Sequence, residues 1–214
     1  MTKLVFFDVK TTSLDDRAGH LWEIGLILRE PGQDDTEFWW QIKPDMSGAD
    51  PVSLNVSGYY QRCRVSRGEV GHAAELAPAR IESKSDLCPS LNPGEVLDWV
   101  SAPTVATQLA FHLAGATVVG SNPSSDHRFG RKFLDQYGHC WTANSHLIDI
   151  RSVALGYLQA RSGDPSTITP GVEWKPRELY DAFVDLHRYD AHTALDDARM
   201  ARDTFDAITS PKAP

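Results

Sequence analysis

An uninterrupted apolar run, Leu4-Val5-Phe6-Phe7, leads into Asp8-Val9-Lys10 and then into the hydroxyl-rich Thr11-Thr12-Ser13. Consecutive side chains on a strand point to opposite faces, so such a run suits a strand buried on both faces near the centre of a sheet. Residues two apart share a face, and Asp8 and Lys10 therefore project together from one side of that strand. Were Asp8 to hold a metal ion, a carboxylate would be the useful neighbour at position 10. The sequence has an ammonium there.

The next stretches supply partners for this strand. Residues 21–29 carry Ile24, Leu26, Ile27 and Leu28 and read as a second strand. Pro31-Gly32-Gln33-Asp34-Asp35 is a turn signal, after which 37–43 alternates with Phe38, Trp40 and Ile42 on one face. The chain thus opens with a three-stranded antiparallel meander whose first strand carries Asp8 and Lys10. Between residues 44 and 103 the patterning weakens, because Asn55, Gly58, Gly68, Gly71, Pro78, Pro89, Pro93 and Gly94 interrupt any long element. Loops and short helices are expected here, with an irregular insertion at about 59–95 inside a single domain spanning 1–214. Arg62, Arg64, Arg67, Arg80 and Lys84 make this the most basic part of the chain. They suit either contact with a phosphate backbone or a solvated surface of scattered charge.

The second half alternates helix and strand. Val105, Leu109 and Leu113 predict a helix over 104–114 that stops at Gly115. Residues 117–119 read as a short strand, broken by Gly120-Ser121-Asn122-Pro123. A helix capped by Ser124 or Ser125 follows, with Phe129, Phe133 and Tyr137 inward and Asp126 facing roughly the same way as Phe129. A strand at 147–150, a helix at 152–159, a loop at 163–173 and a helix at 176–186 come next. In the last helix Ala194, Ala198, Ala201, Phe205 and Ile208 form an inward stripe. An antiparallel start followed by alternating strands and helices indicates an α/β or α+β domain with a mixed sheet.

Charge and cysteine content narrow the function. The net charge of −8 offers no global attraction to nucleic acid, so a polynucleotide would be held by local basic patches or through metal ions. Cys63, Cys88 and Cys140 are odd in number and far apart, which argues against a disulfide framework or a structural zinc site and suits a reducing cytoplasm. No signal-peptide pattern and no long apolar run is present, so neither secretion nor a membrane span is expected.

His192 and Asp197 are five residues apart and would diverge by about 140° on one continuous helix. They can share a site only if His192 lies at or before the first turn, with Asp190 or Thr193 as the cap. Taken together, Asp8-Val9-Lys10-Thr11-Thr12-Ser13-Leu14, then Gly120-Ser121-Asn122-Pro123-Ser124-Ser125-Asp126, then His192-Thr193-Ala194-Leu195-Asp196-Asp197-Ala198 resemble the DnaQ-like 3′-to-5′ exonucleases of the DEDDh pattern. The resemblance covers almost the whole chain. It implies a ribonuclease H-like fold, a mixed five-stranded sheet flanked by helices.

It further implies that Asp8, Asp126 and Asp197 hold two divalent ions, Mg²⁺ or Mn²⁺, and that His192 is the general base acting on the attacking water. Hard cations of that kind favour carboxylate oxygens, and a histidine titrates near neutral pH. By the same resemblance Thr11, Thr12 and Leu14 contact the terminal nucleotide, Asn122 orders the second motif, and the partner is a single-stranded 3′ end of DNA or RNA. A polymerase or another protein would be a further partner, and no membrane is implied.

Lys10 departs from the pattern, because it occupies the family's second acidic position. Three Asp and one Lys leave a formal charge of −2 where the family has −4, and the ammonium competes with a metal ion for the same space. The expectation is a metal-dependent 3′-to-5′ exonuclease impaired by Lys10. The alternative is a catalytically silent relative that binds a nucleic-acid end or a protein. Glu23 or Asp15 is a candidate replacement ligand.

Overall fold

The computed structural model describes residues 2–63, 76–77, 79–82, 100–162, 176–190 and 192–210. The apolar opening run forms β1 (Leu4–Thr11), and β2 (Leu21–Arg29) and β3 (Thr36–Gln41) follow as antiparallel neighbours. The sheet continues on the other side of β1 with β7 (Thr117–Gly120) and β8 (Leu147–Asp149), both parallel. These five strands are the expected mixed sheet. A sixth is added at the edge, since β5 (Ala79–Glu82) pairs antiparallel with β3.

β5 lies inside the stretch read from the sequence as irregular. Two short helices, α1 (Pro51–Val56) and α2 (Tyr59–Arg62), precede it, and β4 (Leu76–Ala77) pairs with β6 (Val100–Ser101) in a small separate ladder. Arg64, Arg67 and Lys84, the side chain of Arg80, and the loop expected at 163–173 lie outside the described residues.

Strand alternation decides which helix meets which side chain. Val5, Phe7 and Val9 point to one face, where α3 (Ala102–Leu113) and α4 (Pro123–Gln136) bring Val105, Leu109, Leu113, Phe129, Phe133 and Leu134. Phe6 points to the other, with Val119, Ile150, Tyr180 and the Leu195, Ala198 and Ala201 stripe of α7 (Ala194–Thr209). α5 (Ile150–Ser162) and α6 (Pro176–Asp181) lie on this side as well. Val5, Phe6 and Phe7 are wholly buried, as an apolar run in a two-sided sheet requires. By the same parity Asp8 and Lys10 emerge on the α7 face.

α7 lies unusually close to β2. A Cβ built on Gly25 would overlap the backbone of Ala194 and Leu195, so glycine is what lets the start of α7 rest on the strand. Several boundaries differ from the sequence reading. β3 ends at Gln41, although Ile42 is still buried in line with Phe38 and Trp40. α6 stops at Asp181, and a separate 3₁₀ turn follows at Leu186–Arg188. α4 is entered through Asn122 at φ 63°, with Pro123 at its first position and no side-chain cap. The expected Ser124 or Ser125 cap is replaced by a left-handed residue, a conformation that Asn tolerates.

Candidate functional site

The Lys10 ammonium bridges two carboxylates from different elements. Its Nζ donates to Asp8 Oδ2 at 2.7 Å and to Asp197 Oδ2, and all three side chains are nearly buried. Asp8 comes from the same strand face, and Asp197 from the first turn of α7, which parity and the close packing at Gly25 bring over that face. Burial works against the Lys10 charge, but Asp8 and Asp197 outweigh it and raise its pKa, so position 10 is an ammonium throughout the accessible range. Burial raises the Asp8 carboxyl above its ordinary value, with Lys10 pulling it down and Asp197 adding to the rise.

Asp126 reaches the site from the opposite helix layer. It lies in the first turn of α4 and is buried, and its Oδ1 accepts the Val9 amide at 3.2 Å. Its Oδ2 is buried and has no hydrogen-bond partner among the described residues. Burial first, and the Asp8 charge second, push its pKa well above the ordinary carboxylate range.

His192 lies before the helix, as sharing a site with Asp197 requires. Thr193 is the cap, its hydroxyl accepting from the Asp196 amide, and His192 itself is left-handed at φ 69°. Together with Lys10, Thr11, Leu14, Val52 and Val56 it lines an open cleft of about 250 Å³. Leu14 is 82% exposed there, and Val52 and Val56 stand exposed on the facing helix α1. Thr12 is buried and structural, because its amide donates to the His20 carbonyl, its hydroxyl accepts from the His20 amide, and its carbonyl accepts from the Asp50 amide. Thr11 donates its hydroxyl to the Ser13 carbonyl at 2.8 Å. Asn122 sits in the β7–α4 turn, donating its amide to Asp149 and accepting from Ser124.

Both candidate replacement ligands have partners elsewhere. Glu23 is wholly buried, and its two oxygens accept from Arg62, Trp39 and the Ala194 amide. Asp15 is exposed and caps its own loop through the Arg17 amide. Arg62 and Glu23 were not read from the sequence as a pair. The signal was a single acid inside the otherwise apolar strand Leu21–Arg29, which has to find a buried cationic partner.

The architecture recurs among solved structures. E. coli Exonuclease I in complex with a 5cy-dA13 oligonucleotide superposes at a TM-score of 0.57 and 12% identity, over 98% of this chain and 41% of that one. A second Exonuclease I structure, one that suggests how processivity is achieved, gives 0.59 at 13% over 98% and 42%. This chain has the ribonuclease H-like fold of these structures. The zinc ion bound form of the E. coli ExoI–ssDNA complex gives 0.57 at 14% over 99% and 42%, so the chain spans well under half the length of these neighbours. No protein-family model and no curated protein sequence matches the chain.

One of these neighbours holds a metal ion, and the residues here can be tested for the same chemistry. Asp8 Oδ2 and Asp197 Oδ2 are both engaged by one ammonium. Among the described residues no group of three or more His, Cys, Asp or Glu side chains is arranged to hold a metal ion. As it stands, this donor set does not fit a pair of divalent cations. Among the described residues no helix is long and apolar enough to cross a membrane.

Proposed function

We propose that this chain, as a single domain, binds single-stranded 3′ ends of DNA or RNA through the exonuclease fold, and that Lys10 holds its hydrolytic centre closed. The observation that carries this is the Lys10 bridge between Asp8 and Asp197. A fixed ammonium supplies one positive charge to these carboxylates and occupies the space between them. It neutralises the site without offering a Lewis acid or an activated water.

Binding survives this change because it uses other parts of the cleft. Leu14 on one side and Val52 and Val56 on the other present exposed apolar surface for a terminal base, while Thr11 and His192 supply polar groups for its sugar and phosphate. The net charge of −8 disfavours long electrostatic tracking along a polyanion, so recognition is confined to the few nucleotides at an end. The single-stranded oligonucleotides in the Exonuclease I complexes support this substrate class.

The reading is tested by fluorescence anisotropy with a 5′-labelled single-stranded oligonucleotide in buffer free of divalent ions. A free 3′ end should bind, and the same sequence with its 3′ end paired into a hairpin should bind at least about tenfold more weakly, the scale of one lost well-made contact. Equal affinity for both would remove end recognition.

A further inference from the structure

We propose that Arg62 and Glu23 form a clamp that fixes the turn carrying His192 and ties both walls of the cleft together, which makes Arg62 a positioning residue. This rests on the reading of the cleft as a nucleic-acid end site. Glu23 is the anchor. It is wholly buried on β2, and it receives the Arg62 guanidinium end-on, Nη1 to Oε1 at 2.9 Å and Nη2 to Oε2 at 3.0 Å. Such a two-bond fork fixes orientation as well as charge. Trp39 Nε1 adds a further donor at 2.8 Å.

Each member of the pair then holds one side of the His192 turn. Arg62 Nη2 donates to the His192 carbonyl at 2.7 Å, and Glu23 Oε2 accepts from the Ala194 amide at 3.1 Å. The peptide groups on either side of Thr193 are thereby set by one ion pair. This matters because His192 occupies the left-handed region, which a non-glycine residue keeps only when its surroundings enforce it. The same guanidinium reaches the opposite wall. Nε and Nη2 donate to the Ser57 carbonyl at 2.9 and 2.7 Å, at the end of α1, whose Val52 and Val56 face the cleft. Its flat face lies 5.1 Å from the centre of the Trp22 ring, which prevents the fork from turning.

The test compares the full chain with Arg62→Lys, Arg62→Met and a control, Leu109→Ala, which creates a cavity under α3 far along the sequence from the clamp. Two quantities are read: the NMR resonances of the His192 imidazole and the Ala194 amide, and anisotropy with the 5′-labelled oligonucleotide. Arg62→Lys keeps the charge but not the fork. Both Arg62 variants should shift the two resonances and weaken binding about tenfold, as loss of one charge-assisted hydrogen bond would. Leu109→Ala should lower the melting temperature and move neither readout. Unmoved resonances in Arg62→Lys would overturn the clamp, and Arg62→Lys decides the matter if Arg62→Met fails to fold. If the unaltered chain binds no oligonucleotide, the end-binding reading fails, and the resonances still decide the clamp.

Discussion

Lys10 and Glu23 face each other across the antiparallel β1–β2 pair, and each is paired elsewhere. Lys10 turns to Asp8 and Asp197, whereas Glu23 is held by Arg62. Two ion pairs therefore stand side by side on one face of the sheet. The first joins Asp8 to Asp197, and the second bonds the His192 carbonyl and the Ala194 amide at the turn into α7.

Replacing Lys10 with Glu should make the folded chain dependent on divalent ions. Asp8 and Asp197 would lose their shared ammonium and gain a third carboxylate, and an uncompensated charge at so buried a place costs roughly 3–5 kcal/mol. Melting curves of Lys10→Glu should start well below those of the unaltered chain and rise as Mg²⁺ or Mn²⁺ is added. The unaltered chain should melt at the same temperature with or without the ion. A metal-dependent rise in the unaltered chain would show that Lys10 leaves the site open.

Gly25→Ala should destabilise the fold by roughly 1–3 kcal/mol, the usual cost of overpacking a tight contact. The added methyl group would push against the Ala194–Leu195 backbone and lift the start of α7, which carries Asp197 and follows His192. Urea unfolding checks the energy, and a mutant as stable as the unaltered chain would mean that α7 does not rest on β2 there.

His112 predicts a loss of stability in mild acid. Burial, with Lys3 adding to it, lowers its pKa from 6.5 to about 4, and its ring packs 4.3 Å from that of Phe38. A folded-state value below the unfolded one means the contribution is fully present above pH 6.5 and is lost as the pH falls from there through about 4. Melting temperatures of the unaltered chain should fall more steeply across that interval than those of His112→Phe. Parallel curves would remove His112 from the account.

Leu14→Ala should weaken oligonucleotide binding while leaving the melting temperature within about 1 °C, because a side chain so exposed adds little to the core. Leu14→Ser and Val56→Ser should behave alike if both flank one base. Unchanged affinity in all three would move the base elsewhere.

Much of this arrangement was legible in the chain because it follows from strand parity. The bounds of β2 agree with the run 21–29, the apolar opening run is buried on both faces, and the same alternation puts Asp8 beside Lys10. The stripe of α7 marked its inward face, and His192 falls before the Thr193 cap, one of the two caps the sequence offered. What escaped the sequence depends on partners far apart in it. Nothing local ties Lys10 to Asp197 or Glu23 to Arg62 and Ala194, and only the unexplained acid in β2 hinted at the second pair. The edge strand β5 was missed because Pro78 and its flanking sequence broke the pattern, and the entry to α4 because Asn122 supplies backbone conformation in place of a serine hydroxyl.

On the proposed function, Lys10 alone keeps the hydrolytic centre closed, and a carboxylate at position 10 should open it. A time course on a 5′-labelled single-stranded oligonucleotide with Mg²⁺ or Mn²⁺, run in parallel for the unaltered chain and Lys10→Glu, tests it most directly. The account predicts intact substrate with the unaltered chain and a ladder shortening from the 3′ end with Lys10→Glu, lost again when Asp126→Ala or Asp197→Ala is added. A ladder produced equally fast by the unaltered chain would contradict it.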